Sequence, residues 1–228
     1  MERHFDEELR ELKEKLLQMA SLAEESIVRA VKALVERDSG LAKNVIASDD
    51  AVNMLEIEID ELCLRLLALR QPIAKDLRFI ASAMKINNDL ERIGDLSVNI
   101  AERTLDLFKE PVLKPLIDIP RMAQLAQKMV KDSLDAFVGS DAELALNVCR
   151  SDDEVDQLNH QIFRELLTYM IQDPKNITRS VDLVLIGRHL ERIADHATNI
   201  AEDVVYMVKG RTIKHHIEEK NAGERPNA

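Results

Sequence analysis

The sequence predicts an all-α fold of two tandem pseudo-symmetric three-helix bundles, six long antiparallel helices in all, and three observations lead there. Strand and turn formers are scarce: aromatic residues make up 3% of the 228, there is no tryptophan, and glycine and proline number six each, a balance that favours long helices over sheets. Apolar residues recur at alternating spacings of three and four, the period of a helix–helix seam. The second half of the chain also repeats the first, which marks a duplicated unit.

Residues 6–37 read as the first helix, with Leu9, Leu12, Leu16, Met19, Ala23, Ser26, Ala30 and Ala33 as its seam. Asp38-Ser39-Gly40 breaks it. The second helix spans 41–70, with a bend expected at Ser48-Asp49-Asp50 and a seam of Val52, Leu55, Ile59, Leu62, Leu66 and Leu69. Arg70-Gln71-Pro72 stops it, because the residue before a proline is pushed out of helical geometry. A third helix covers 75–109. Pro111, Pro115 and Pro120 then fall within ten residues, half the chain's proline, and mark the boundary between the halves. A fourth helix spans 117–138. Asp141 is a suitable N-cap for the fifth, which runs to 171 with a bend expected at Ser151-Asp152-Asp153. Asp173-Pro174 turns the chain into a sixth helix, 177–208. The units are thus 1–110 and 116–209, followed by a polar tail, 210–228, expected to be partly disordered.

Leu90-Glu91-Arg92-Ile93-Gly94-Asp95 opens a thirteen-residue segment that recurs at 190–202 with nine identities. Ser48-Asp49-Asp50, Val52, Leu55 and Ile59 recur as Ser151-Asp152-Asp153, Val155, Leu158 and Ile162, and Pro72 recurs as Pro174. Three matches in the same order mean that a helical hairpin was duplicated.

The net charge of −11 argues against nucleic acid and anionic membrane surfaces, and fits cations or basic partner patches. The N-terminus lacks a signal-peptide apolar core, and no run approaches 18 uncharged apolar residues, so a cytoplasmic protein without membrane insertion is expected. Cys63 and Cys149 lie in apolar helical runs and read as buried small hydrophobes. Nucleotide-binding loops, nucleophile elbows and zinc-protease motifs are missing, so no catalytic residues are assigned and the chain is not expected to be an enzyme.

On a helical wheel Glu91, Asp95 and Glu102 share one stripe, with Asn99 beside it, set apart from Phe79, Ile86, Leu90 and Ile93. Glu191, Asp195 and Glu202 form the same stripe in the sixth helix, with Asn199 beside it. Like charges four apart repel by a few tenths of a kcal/mol; a hard cation reverses that sign, since carboxylate and amide oxygens are its preferred ligands. Counting across each hairpin turn sets Glu91 opposite the neighbourhood of Asn53 and Glu191 opposite Asp156. Asp49 and Asp152 lie one turn away, facing Asp95 and Asp195. A solvated face with ion pairs, such as Arg92 with Asp95, is the competing reading. The Glu-x-x-His pattern of ferritin-like di-iron sites is absent. His196 points off the stripe, and His189 sits at a packing edge.

Val52-Asn53-Met54-Leu55-Glu56-Ile57-Glu58-Ile59-Asp60-Glu61, Arg70-Gln71-Pro72, Asp76-Leu77-Arg78, Leu90 to Asp95 and Glu191 to Asp195 together resemble the PhoU family, from about residue 6 to 209. The one departure is Ala194, where that family often has glycine. The resemblance implies two pseudo-symmetric three-helix bundles and multinuclear metal, iron or another divalent ion (magnesium, manganese, calcium or zinc), on Glu91, Asp95, Glu191 and Asp195. Asn53, Asp156, Asn99, Asn199, Glu102, Glu202, Asp49 and Asp152 are the further candidate ligands from the wheel and the counting. It also implies a negative regulator of phosphate uptake and of the phosphate-starvation (Pho regulon) response. Such a protein is an adaptor between the ATPase subunit of the phosphate ABC transporter and the sensor histidine kinase, and a homodimer. The alternatives are a metal-storage or redox-active bundle and a purely structural scaffold.

Overall fold

The computed structural model describes residues 2–213; the expected tail, beyond 213, lies outside the described residues. Helices α1 (Glu2–Glu36), α2 (Ser39–Ser48), α3 (Asp50–Arg70) and α4 (Ala74–Leu107) build the first half. Helices α5 (Asp118–Gly139), α6 (Ala142–Gln172) and α7 (Ile177–Lys209) build the second, with a short 3₁₀ turn, Pro174–Asn176, before α7. No strand occurs among the described residues.

The expected second helix is divided at Asp49, but gently. Asp49 keeps helical angles (φ −63°, ψ −31°), so α2 and α3 run on as one bent rod. The matching Ser151-Asp152-Asp153 segment passes through α6 without a break. The hydroxyls differ in step: Ser48 Oγ donates to the Val45 carbonyl, three residues back, and Ser151 Oγ to Asn147, four back.

The duplication extends to the caps. α1 and α5 end on left-handed residues, Arg37 (φ 54°) and Ser140 (φ 51°), and each is followed by an aspartate that starts the next helix. Asp38 Oδ1 accepts from the amides of Gly40 and Leu41, and Asp141 Oδ1 from those of Glu143 and Leu144, all within 3.0 Å. Such caps satisfy helix-start donors that would otherwise lack partners and contribute about 1 kcal/mol each.

The seams pack as expected except that Leu9 and Ser26 are only half-buried and Leu69 is exposed. Leu12, Leu16, Met19, Ala23, Ala30 and Ala33 of α1 are fully buried, and Val52, Leu55, Ile59, Leu62 and Leu66 of α3 join them in the core. Leu69, read as the last seam residue, is instead 68% exposed, although α1 still covers that layer, where Arg70 pairs with Glu8 at 2.8 Å. Cys63 is buried and Cys149 half-buried, both as free thiols.

The two halves meet along α4 and α7, which run antiparallel. Arg78 Nε donates to the Met207 carbonyl, Ser82 Oγ to the Asp203 carbonyl, and Lys85 pairs with Asp203 at 2.9 Å. Farther along, His196 Nδ1 lies 2.8 Å from Asp89 Oδ1, and Arg103 lies 3.7 Å from Asp182. Gly210, at φ 69°, caps α7 in a left-handed geometry that only glycine adopts freely. At the opposite end the linker crosses between the halves. Arg37 donates to the carbonyls of Phe108 and Glu110 at 3.2 and 3.0 Å, and Arg179 of α7 donates to the Pro111 carbonyl at 3.0 Å. Lys114, almost wholly buried, pairs with Glu165. No helix among the described residues is long and apolar enough to cross a membrane.

Candidate metal centre

The acidic stripes lie on the inner faces of the two hairpins, well along α4 and α7 from the turns at Pro72 and Pro174. α4 presents Glu91 and Asp95 towards the α2–α3 bend, and α7 presents Glu191 and Asp195 towards the unbroken α6. Their backs are anchored in the core: Leu90, Ile93, Leu190 and Ile193 are completely buried. The hairpin register agrees with the counting, since Asn87 Nδ2 of α4 donates to the Glu56 carbonyl at 2.9 Å and to Asp60 Oδ1 at 3.0 Å.

In the first half, Glu91 and Asp95 are half-buried. Burial raises the Glu91 carboxyl above its ordinary range, the neighbouring Asp95 raises it further, and Glu56 and Asp49 add to this while Arg92 opposes it. Asp49 is also raised, by burial first; the amide of Asn53, which donates to Asp49 Oδ2 at 2.9 Å, works the other way, and Asp95 reinforces the rise. One guanidinium bridges the stripe: Arg92 Nη1 lies 3.0 Å from Asp95 Oδ2 and Arg92 Nε 3.2 Å from Glu91 Oε2. The second contact misses hydrogen-bonding geometry, so Glu91 Oε2 is buried with no hydrogen-bond donor. A methyl group on Gly94 would stand 3.2 Å from Asp49 Oδ1; the bare glycine backbone is what lets that carboxylate lean in.

In the second half, burial and then the carboxylates of Asp195, Asp156, Asp153 and Glu191 push Asp152 up to about 6. Glu191 is raised by burial, Asp195 and Asp156, against a hydrogen bond from Asn159. Asp195 is raised by partial loss of water and then by Asp156, although the residue keeps one side exposed to solvent. The structure therefore brings Asp49, Asn53, Glu91 and Asp95 into one cluster and Asp152, Asp156, Glu191 and Asp195 into another.

Other candidates lie apart. Asn199 Nδ2 points to Asp89 Oδ1 across the α4–α7 seam, 3.4 Å away. Glu202 lies near Cys149, whose thiol is pushed up to about 11 by burial and then by Glu202 and Asp152. Asn99 is half-buried and Glu102 exposed. His196 is off the stripe, as the wheel expects, and half-buried His189 is held below the ordinary histidine range by burial and nearby arginines.

Two residues escaped the sequence reading. Glu56 faces Glu91, and Asn159, its counterpart in the repeat, faces Glu191. Their signal was present: each lies three residues past Asn53 or Asp156, on the same helical face. Each centre thus holds four carboxylates and one amide, with the amide at a different position.

By residue type alone, the donors are those a hard cation prefers. The set is all oxygen, it crowds carboxylates whose repulsion a cation would relieve, and it includes the buried, donorless Glu91 Oε2. Among the described residues, however, no group of three or more His, Cys, Asp or Glu side chains is placed so that it could hold a metal ion.

A PhoU domain matches residues 16–104 and matches again at residues 119–204. The chain belongs to the PhoU family. The PhoU homolog of Aquifex aeolicus, a phosphate-specific transport system accessory protein, is 47% identical over 93% of this chain and 97% of its own length. The PhoU homolog of Pseudomonas aeruginosa is 44% identical over 92% of this chain and 88% of its own. The crystal structure of PhoU from P. aeruginosa matches with a TM-score of 0.88 at 45% identity, covering 91% of this chain and all of that one. The phosphate transport system regulatory protein PhoU from Streptococcus pneumoniae matches with a TM-score of 0.85 at 33% identity, covering 92% and 99%.

Proposed function

We propose that this chain is a negative regulator of phosphate uptake, an adaptor that restrains the phosphate-starvation response when phosphate is plentiful. The observation that carries this reading is kinship over more than nine-tenths of the chain with proteins named as phosphate-specific transport accessory proteins. The role is accessory and regulatory, not catalytic. Its partners are the ATPase subunit of the phosphate transporter and the sensor histidine kinase, met from the cytoplasmic side by an acidic helical surface, with the chain itself as a homodimer. The net charge of −11 supports docking on basic patches, where complementary charge sets specificity and association rate.

Within this reading Glu91 and Asp95, supported by Asp49, Asn53 and Glu56, would hold a divalent cation such as iron in the first half. Glu191 and Asp195, supported by Asp152, Asp156 and Asn159, would do so in the second. The cation would supply positive charge that ties α3 to α4 and α6 to α7. The side chains themselves orient the oxygens: Asn53 aims Asp49, and Asn159 holds Glu191.

The test is complementation. A strain lacking its own regulator derepresses the phosphate regulon in excess phosphate, and this chain restores repression. Full expression of the folded protein without restored repression would remove the adaptor reading.

A further inference from the structure

We propose that the apolar cavity beneath the linker between the halves binds a small aliphatic monocarboxylate, whose charged end is received by Arg179 and Arg37 at the rim. This goes beyond the adaptor reading and depends neither on it nor on the acidic stripes.

The cavity measures about 190 Å³. Its walls come from both halves and from the segment that joins them: Leu34 of α1, Leu107 of α4 and Leu183 of α7, all buried, with Leu113 and Leu116 of the linker. Pro111 and Pro115 also line it, and their fixed backbone angles keep that wall in place before a ligand arrives. An apolar cavity of about 150 Å³ admits benzene. By the same measure, 190 Å³ has room for about eight non-hydrogen atoms.

The charge around the cavity sets the ligand's other end. Three cations share the lining, Arg37, Lys114 and Arg179. Lys114 already pairs with Glu165. The two arginines meet only neutral acceptors. Arg37 Nη2 donates to the carbonyls of Phe108 and Glu110, and its guanidinium lies 4.9 Å from the centre of the Phe108 ring. Arg179 Nη1 donates to the Pro111 carbonyl at 3.0 Å and Nη2 to Asn176 Oδ1 at 2.6 Å. Glu110 and Pro111 are consecutive, so both positive charges stand at one rim. Among the described residues, no carboxylate pairs with either guanidinium.

One donor there is left over. Arg179 Nε is buried and has no acceptor, and a buried donor on a charged group is costly to leave unmet. A carboxylate supplies an acceptor for that N–H and a negative charge for the rim, while its aliphatic tail covers the apolar walls. Inorganic phosphate has no apolar surface to bury and would surrender its hydration to do so. A neutral aliphatic molecule fills the walls and leaves the donor unmet.

The experiment is a nuclear magnetic resonance titration of the isotope-labelled full chain with hexanoate, hexanol and inorganic phosphate in parallel. Hexanoate should shift the amide signals of Leu107, Leu113 and Leu183 saturably, with a Kd of about 1 mM. Hexanol should bind there about tenfold more weakly, and phosphate should leave those signals unmoved. Arg179→Lys keeps the charge but has no nitrogen at the ε position. It should weaken hexanoate about tenfold and leave hexanol unchanged, which shows that the cavity is intact. If the variant loses hexanol as well, the cavity has collapsed and the wild-type difference between hexanoate and hexanol decides. Hexanoate that shifts no cavity signal, hexanol that binds as tightly as hexanoate, or phosphate that displaces hexanoate would overturn the proposal. A short peptide ending in leucine that displaces hexanoate at lower concentration would also overturn it, and would assign the cavity to a chain terminus.

Discussion

The hairpins α3–α4 and α6–α7 share a backbone plan and differ in where they keep their charge. Both bury the same apolar ladder, Leu90 and Ile93 in one, Leu190 and Ile193 in the other. Around that ladder, Asn53 and Asp156, Glu56 and Asn159, Asn87 and Gly187, and Gly94 and Ala194 are exchanged pairwise. The first half pairs part of its acid with Arg92; in the second, burial first and then the neighbouring carboxylates push Asp152 up to about 6. After duplication, packing constrains a position's shape and exposure, while hydrogen bonds and charge are free to redistribute provided that every buried oxygen keeps room or a partner.

The strongest way to break the comparison is in the core. Leu90→Ala and Leu190→Ala should each cost about 3 kcal/mol in urea unfolding, since both side chains are wholly buried. A cost in one half less than half that in the other would mean that the ladders are not packed alike. Next comes metal. Mn²⁺ at about a hundredfold excess over its dissociation constant should stabilise the metal-stripped chain by about 2.7 kcal/mol per site, seen as a rise in Tm. The variant with Glu91, Asp95, Glu191 and Asp195 all changed to alanine should show no rise.

The electrostatic difference is smaller and carries a sign. The Asp152 carboxyl titrates at about 6 when folded against an ordinary 3.8, so the folded chain holds a proton that the unfolded chain releases. Asp152 therefore lowers stability as pH rises from about 4 to about 6, and the deficit is complete at pH 7. Asp152→Asn should raise the metal-free stability at pH 7 by about 1 kcal/mol, the full shift discounted for partial solvent exposure, and should have no effect below pH 4. Asp49→Asn should gain less, because Asn53 already donates to Asp49. The smallest effect is at Gly94→Ala, which copies the second half's Ala194. The helical gain of about 1 kcal/mol is offset by the 3.2 Å approach to Asp49 Oδ1, and unfolding curves should move by less than about 0.5 kcal/mol.

Much of this was legible before any coordinates. The 3,4 spacing located the helices, the repeat located the halves, and counting across the Pro72 and Pro174 turns put Asp49 beside Asp95 and Asp156 beside Glu191. Counting works there because a tight turn fixes register. It fails between α4 and α7, which are joined through a proline-rich linker and a further hairpin, so the Asp203–Lys85 and Asp89–His196 contacts had no sequence signal. The same gap hid the aim of Asn199: a wheel gives its angle but not which neighbour is close enough to claim its amide. Leu69 misled because a period gives an angle on the helix, not whether a neighbour covers that angle, and α1 meets Arg70 there instead. Glu56 and Asn159 were missed for want of extending the facing stripe by one turn.

The linker has a mechanical consequence. Arg37 from one half and Arg179 from the other grip carbonyls only three residues apart, at Phe108, Glu110 and Pro111. A joint held from both sides cannot swing without releasing both grips, and the α4–α7 seam resists sliding over helices about 50 Å long. Bending the molecule at the linker therefore means breaking contacts made by both halves at once.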